Sequence, residues 1–205
     1  MDKKGNIAMV ILAAGAATRM QAIKQLLPWK KTTLLGNAIE QGLQSNVDKV
    51  YVVLGANASK IKKQILNYPI QIIEHKNWQL GIGSSIACAI NYFNENNLNY
   101  NSVIITLADQ PLVNSAYYNL LIERFLTKKE KIITSKTKNK PSVPAIFDVS
   151  YFKKMSELNQ DKGAKELIQS VPSDVLMLNS DINLVDIDTL ETYDVIYNRF
   201  GKPES

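Results

Sequence analysis

Val10-Ile11-Leu12-Ala13-Ala14-Gly15-Ala16-Ala17-Thr18-Arg19-Met20-Gln21-Ala22-Ile23-Lys24-Gln25-Leu26-Leu27-Pro28 is the stretch from which the fold can be read. It continues an apolar run, Ile7 to Leu12, whose Val and Ile suit a covered, pleated surface, so the run reads as a buried strand. The strand leads directly into Ala13, Ala14, Gly15, Ala16 and Ala17. Small residues let backbone N–H groups approach a bulky anion, and nests of such amides bind phosphate oxygens. Arg19 and Lys24 follow on the same loop and supply two positive charges where a polyphosphate would lie. The combination reads as a nucleoside triphosphate site, against the alternative of an ordinary alanine-rich turn from strand to helix.

Two common phosphate motifs are absent. A P-loop needs Gly, four residues and then Gly-Lys-Ser/Thr, whereas Lys24 here is followed by Gln25 and preceded by no second Gly. The dinucleotide fingerprint needs three glycines just after the first strand. Gly81-Ile82-Gly83-Ser84-Ser85-Ile86 has two of them and lies far downstream.

At 205 residues the chain is expected to form one domain, residues 1–205, long enough for a sizeable core. Hydrophobic residues at 45% and charged residues at 21% suit a globular protein. No apolar run approaches the roughly 18 residues that would cross a bilayer, and MDKKGN has no signal-peptide character. The single cysteine, Cys88, offers neither an internal disulfide nor a metal cluster. A cytoplasmic location is therefore expected. The net charge of +5 comes from scattered lysines, with short clusters at Lys128–Lys131 and Lys136–Lys140. No basic helix, aromatic-interleaved strand or Cys/His module accompanies them, which favours a solvated surface over a nucleic-acid face; a polyanionic small substrate also suits the charge.

Apolar β-rich runs alternate with helical patterns, the signature of an α/β protein with a parallel sheet. Strands are expected at 7–12, 49–54, 70–74, 102–106, 131–134, 143–147 and 175–178. Helices are expected at 34–44, 59–66, 84–96, 116–126, 150–155, 164–169 and 190–199. Residues 136–142, polar and basic with one Pro, are the nearest approach to a linker. Ser84 or Ser85 is read as the N-cap of the third helix, and Asp188 with Glu191 as the cap and reciprocal acid of the last.

Val103-Ile104-Ile105-Thr106 runs into Leu107-Ala108-Asp109-Gln110-Pro111-Leu112. Pro111 stops the ladder, leaving Asp109 at the end of a buried strand, where ligands of open sheets bind. A carboxylate facing a triphosphate loop suits Mg2+, which prefers one or two carboxylates plus phosphate oxygens; a turn-forming Asp is the plainer alternative. Trp78 to Ile86 reads as a glycine-rich turn opening a helix, whose N-terminal amides can receive a phosphate or a base edge. His75 lacks a second His for a metal site or a triad, and Cys88, beside Ala87 and Ala89, reads as core packing.

Leu12-Ala13-Ala14-Gly15-x-x-x-Arg19-Met20, then Lys24 and Leu26-Leu27-Pro28, resembles the signature of the small-molecule nucleotidyltransferases. Within them the chain is similar to the enzymes that attach a nucleotide to molybdopterin. ADQPLV, residues 108–113, resembles their metal-binding segment, and Val185-Asp186-Ile187-Asp188-Thr189 their late acidic motif. Asp161-Lys162-Gly163-Ala164-Lys165 is similar to a motif near their acceptor substrate. The resemblance implies a Rossmann-like, three-layer nucleotidyltransferase fold with a mostly parallel central sheet. It implies catalytic roles for Arg19, Lys24 and Asp109, and nucleotide contacts from Leu12, Ala13, Ala14, Gly15, Gly81, Gly83, Ser84 and Ser85 as well. Magnesium would lie on Asp109 and Asp186, with Asp188 left to helix capping, and the acceptor near Gln110, Pro111, Asp161 and Lys165.

Leu-Ala-Ala-Gly, Gly-x-Gly-x-Ser and ADQPL together resemble the cytidylyl branch. That branch implies CMP transfer from CTP to molybdopterin, release of pyrophosphate, and delivery of the product to a molybdenum hydroxylase. A relative using GTP or a sugar or alditol phosphate is the alternative among enzymes. A non-catalytic nucleotide-binding or chaperone module is the alternative outside them.

Overall fold

A computed structural model describes residues 5–16, 20, 22–159, 162–179 and 182–203. The chain runs β1 (Ile7–Ala13), β2 (Pro28–Trp29), β3 (Thr32–Thr33), α1 (Leu34–Leu43), β4 (Lys49–Leu54), α2 (Ala58–Ile65) and β5 (Gln71–Glu74). It continues through α3 (Ile82–Glu95), β6 (Ser102–Leu107), α4 (Ser115–Thr127), β7 (Ile132–Thr137) and β8 (Lys140–Asp148). Then come α5 (Phe152–Ser156), α6 (Ala164–Gln169), β9 (Val175–Met177) and α7 (Leu190–Ile196).

Seven strands form one sheet in the order β5-β4-β1-β6-β8-β7-β9, and only β8 runs against the rest. Every residue of β1 is buried, as a strand covered on both faces requires. Alternate side chains go to opposite layers. Ile7, Met9 and Ile11 pack with α1, α2 and α4 through Leu35, Ile39, Ile61 and Leu121. Ala8, Val10 and Leu12 pack with α3, α5 and α6 through Ile86, Ile90, Met155 and Ile168. The result is the α/β architecture expected from the alternation of strands and helices, in the three layers that the family resemblance implied.

Register decides where the site falls. Ala13 pairs with Leu54, and Leu12 with Leu107, so β1, β4 and β6 end together and release their loops at one edge. The strand order reverses between β1 and β6, and the crevice at such a reversal is where open α/β sheets hold ligands.

Two expected helix caps are corrected, and one polar segment finds its place. Residues 136–142, too short to separate domains, form the tip of the β7–β8 hairpin, turned by Lys138 (φ 49°) and Asn139 (φ 62°). Two adjacent left-handed residues make the tight turn that matches strand twist, a signal hidden by the run of lysines. Helix α3 starts at Ile82, with Gly81 rather than Ser84 or Ser85 at its N-cap. Gly81 adopts φ 98° and ψ 179°, a conformation essentially reserved for glycine, and turns the chain into the helix early. Helix α7 is capped by Thr189, whose side chain accepts from Thr192 N, and not by Asp188. No helix among the described residues is long and apolar enough to cross a membrane.

Candidate active site

The loop after β1 is tied back by its own carbonyls. Gln25 Nε2 donates to Ala13 O and to Gly15 O, both at 2.9 Å, and Ala56 N donates to Ala14 O at 2.9 Å. Occupied carbonyls no longer present free acceptors to an incoming anion. Gln25 is 5% exposed, a buried amide between Lys24 and Leu26, and its hydrogen bonds account for its burial. Gly55, just past β4, allows the close approach: a Cβ there would lie 2.4 Å from Trp78 Cβ and 2.7 Å from Ala14 O.

Lys24 stands on the short turn Lys24–Leu26. Its Nζ donates to Asp109 Oδ2 at 2.6 Å and lies 3.3 Å from Asp188 Oδ1. Burial works against its charge more than any other single influence. Asp109 and then Asp188 together outweigh burial, and the Lys24 pKa is raised. Asp109 Oδ1 is buried and has no hydrogen-bond partner among the described residues.

The late acidic segment is strapped to the end of β6. Ile187 N donates to Asp109 O at 3.0 Å, and Gln110 Nε2 donates to Asp186 Oδ1 at 2.8 Å and to Val143 O at 3.3 Å. Ile187 is buried with Met20, Trp29, Leu34 and Tyr193 in a small separate core under the loops. Packing therefore brings Asp186 and Asp188 beside Asp109. The Asp186 carboxyl is pushed above its ordinary value of 3.8, first by burial and then by Asp109 and Asp188, against the lowering effect of the Gln110 bond.

A raised carboxyl pKa means that ionising Asp186 costs folding free energy. That cost is absent below pH 3.8, where folded and unfolded chains are both protonated, and it grows as pH rises through the folded value. Asp186→Asn should therefore raise the thermal midpoint of the ligand-free protein at pH 7, with the gain shrinking toward pH 4. Melting curves at the two pH values check this, and a variant no more stable than wild type at pH 7 would contradict it.

A cavity of about 330 Å³ lies between these pieces. Leu12, Ala13, Ala14, Gly15 and Lys24 line it from the first loop, Gly81 and Ser85 from the start of α3, and Asp109 from the end of β6. Trp78, Gln79, Ile82, Leu107, Ala108 and Gln25 complete its wall. Trp78, Gln79 and Ile82 belong to the turn read from the sequence as facing a phosphate or a base edge, whereas the sequence reading did not assign Gln25 and Leu107 to the site. Gln25 carried a usable signal, a lone amide between a cation and two leucines.

Other expected site residues fall elsewhere. Ser84 lines a separate groove on the outer side of α3, where its hydroxyl lies 2.8 Å from His75 Nε2 and donates to Gly81 O. That chain fastens the Gly81 turn, and burial lowers the His75 pKa. Gly83 is buried in the first turn of α3 and does not line the cavity. Gln110 is 4% exposed and serves as the bridge to Asp186, while Pro111 O accepts from Asn37 Nδ2. Lys165 is exposed on α6 and does not line the cavity. Arg19 and Asp161 lie outside the described residues.

Comparison with known proteins bears on the fold and the family. The nicotine blue oxidoreductase of Paenarthrobacter nicotinovorans is 26% identical over 191 residues, covering 89% of this chain and 92% of that protein. The bifunctional protein GlmU of Halorhodospira halophila is 32% identical over 109 residues, 52% of this chain and 22% of its own length. Rv0371c of Mycobacterium tuberculosis H37Rv superimposes with a TM-score of 0.82 at 24% identity, covering 95% of this chain and 98% of that one. Its complex with manganese gives 0.79 at 25% identity, covering 94% and 98%. The architecture is thus the Rossmann-like fold of nucleotidyltransferases. The model of the MobA-like NTP transferase domain matches residues 9–188, and the chain belongs to that family.

Proposed function

We propose that this chain is a cytidylyltransferase that moves CMP from CTP to molybdopterin and releases pyrophosphate. The observation that carries the reading is the convergence of Lys24 and Asp109 on a cavity walled by the small-residue loop after β1. Nucleotidyl transfer needs placement and charge neutralisation more than covalent chemistry. An acceptor phosphate oxygen would attack the α-phosphorus, and the bond to pyrophosphate would break. The loop of Ala13 to Gly15 would seat the phosphates. Lys24, joined by Arg19, would offset the charge that gathers on the leaving group.

A divalent ion suits the acids of this site. Asp109 Oδ1 is a buried oxygen with no hydrogen-bond partner among the described residues, and Asp186 gains from any cation that relieves its neighbours. Among the described residues no cluster of three His, Cys, Asp or Glu groups forms a metal cage, so phosphate oxygens would complete the coordination. Asp109 and Asp186 would hold Mg2+, which when bound supplies charge neutralisation at the phosphates. The manganese complex of the Rv0371c relative supports divalent metal use. Cytidine rather than guanosine follows from the resemblance at residues 12–15, 81–85 and 108–112. A molybdenum hydroxylase receiving the product, and a cytoplasmic setting, belong to the same reading.

Calorimetric titration with CTP and with GTP, each with magnesium, tests the base. CTP is expected to bind at least about tenfold more tightly, a difference of about 1.4 kcal/mol. Equal affinities would remove the cytidine assignment, and absence of pyrophosphate release with CTP and molybdopterin would remove the acceptor. One observation favours a second reading: a relative aligned over nearly the whole chain is named an oxidoreductase. Tight binding of a nicotinamide dinucleotide with no response to CTP would select it.

A further inference from the structure

We propose that Lys24 is a place-holding cation: in the ligand-free protein its ammonium occupies the position on Asp109 that a divalent ion takes, and the ion enters only as Lys24 passes to the triphosphate. The inference rests on the divalent-ion site proposed above, and it adds an order of events at that site.

Three observations carry it. First, the Lys24–Asp109 contact is short, 2.6 Å, and sheltered, with side chains only 15% and 18% exposed. In so sheltered a place an ion pair is much stronger than at an open surface. A divalent ion arriving alone has to displace it and leave the ammonium without its partner. Second, Asp109 is only half satisfied. Oδ2 holds Lys24 while Oδ1 is buried without a partner among the described residues, so the carboxylate has room for a stronger cation than the one it holds. Third, Asp109, Asp186 and Asp188 all interact with one another or with Lys24, and the excess of carboxylates repels a bare triphosphate. Neither ligand is well received alone. Together they exchange partners, the metal on the carboxylates and the ammonium on the phosphates, and no charge is stranded.

The exchange asks little of the backbone. Gln25 anchors the turn that carries Lys24 through Ala13 O and Gly15 O. The lysine stem has four rotatable carbons, and Lys24 already lines the cavity. A change of side-chain rotamer is enough. Asp188, 57% exposed and 3.3 Å from the ammonium, gives the outer edge of the latch.

Mn2+ is the probe, titrated into the ligand-free protein and followed by the loss of the free-ion electron paramagnetic resonance signal. Wild type is expected to bind Mn2+ weakly alone and, with CTP present, at least about tenfold more tightly than CTP does in a protein-free control. Lys24→Met, which keeps the stem and removes the charge, should bind Mn2+ alone at least about tenfold more tightly than wild type. Lys24→Gln should do the same, so that misfolding of one variant does not leave the question open. Mn2+ affinity in folded Lys24→Met or Lys24→Gln equal to or below that of wild type would overturn the latch. The metal-only arm needs neither CTP nor molybdopterin: if CTP fails to bind, the cytidylyl reading falls while the comparison of wild type with the Lys24 variants still decides the latch.

Discussion

Asp109→Asn is expected to lower kcat/KM for nucleotidyl transfer by at least about a hundredfold, the range found when one preorganised charge is removed from a reacting site. The substitution keeps the side-chain volume and removes the carboxylate that holds Lys24 at 2.6 Å. It also leaves the buried Oδ1, which has no partner among the described residues, unable to serve a divalent ion as an anionic ligand. The fold should survive, because the contact that straps the late acidic segment to this loop uses the Asp109 backbone carbonyl, from Ile187 N. Pyrophosphate release measures the first effect and a thermal melt the second. A variant that melts like wild type and keeps more than about a tenth of its rate, a barrier change under about 1.4 kcal/mol, would remove Asp109 from the reaction.

Gln25→Leu should weaken CTP binding by about tenfold or more and lower stability by about 1–3 kcal/mol. Leucine fills the space, but the Nε2 donor to Ala13 O and Gly15 O is lost. The Ala13 end of that bridge is buried, so water cannot replace the bond there, whereas Gly15 is exposed and can be rehydrated. The loop after β1 then loses the brace that keeps its carbonyls engaged. Gln79→Leu is the matched control. Gln79 lines the same cavity from an exposed position, and its replacement should stay within about 0.5 kcal/mol of wild-type stability. Denaturant melts and calorimetry on the two variants check the pair. Equal effects at both positions would mean that the bridge does not shape the loop.

Much of the architecture was legible because it depends on short-range pattern. Seven consecutive buried residues in β1 announce a strand covered on both faces, and Val103 to Thr106 ends in a turn because Pro111 cannot extend a ladder. The hairpin of β7 and β8 was not legible. Its turn rests on the left-handed backbone of Lys138 and Asn139, which composition does not reveal. The start of α3 was misplaced for a related reason. Ser84 and Ser85 look like caps in a linear reading, yet the glycine-only conformation of Gly81 opens the helix ahead of them.

From the sequence by itself came the layered α/β order, the small-residue loop with its two cations, and the strand-end acid, since each is carried by neighbours along the chain. Tertiary structure alone decided which acid meets which cation. Lys24 reaches Asp109 across 85 residues and Asp188 across 164, and Asp186 turns instead to Gln110, 76 residues away. Both acids of the late segment have the same charge and nearly the same place in the sequence. What separates them is Ile187 between them, buried beside Trp29 and Tyr193, which fixes the strap and sends its two neighbours to different partners.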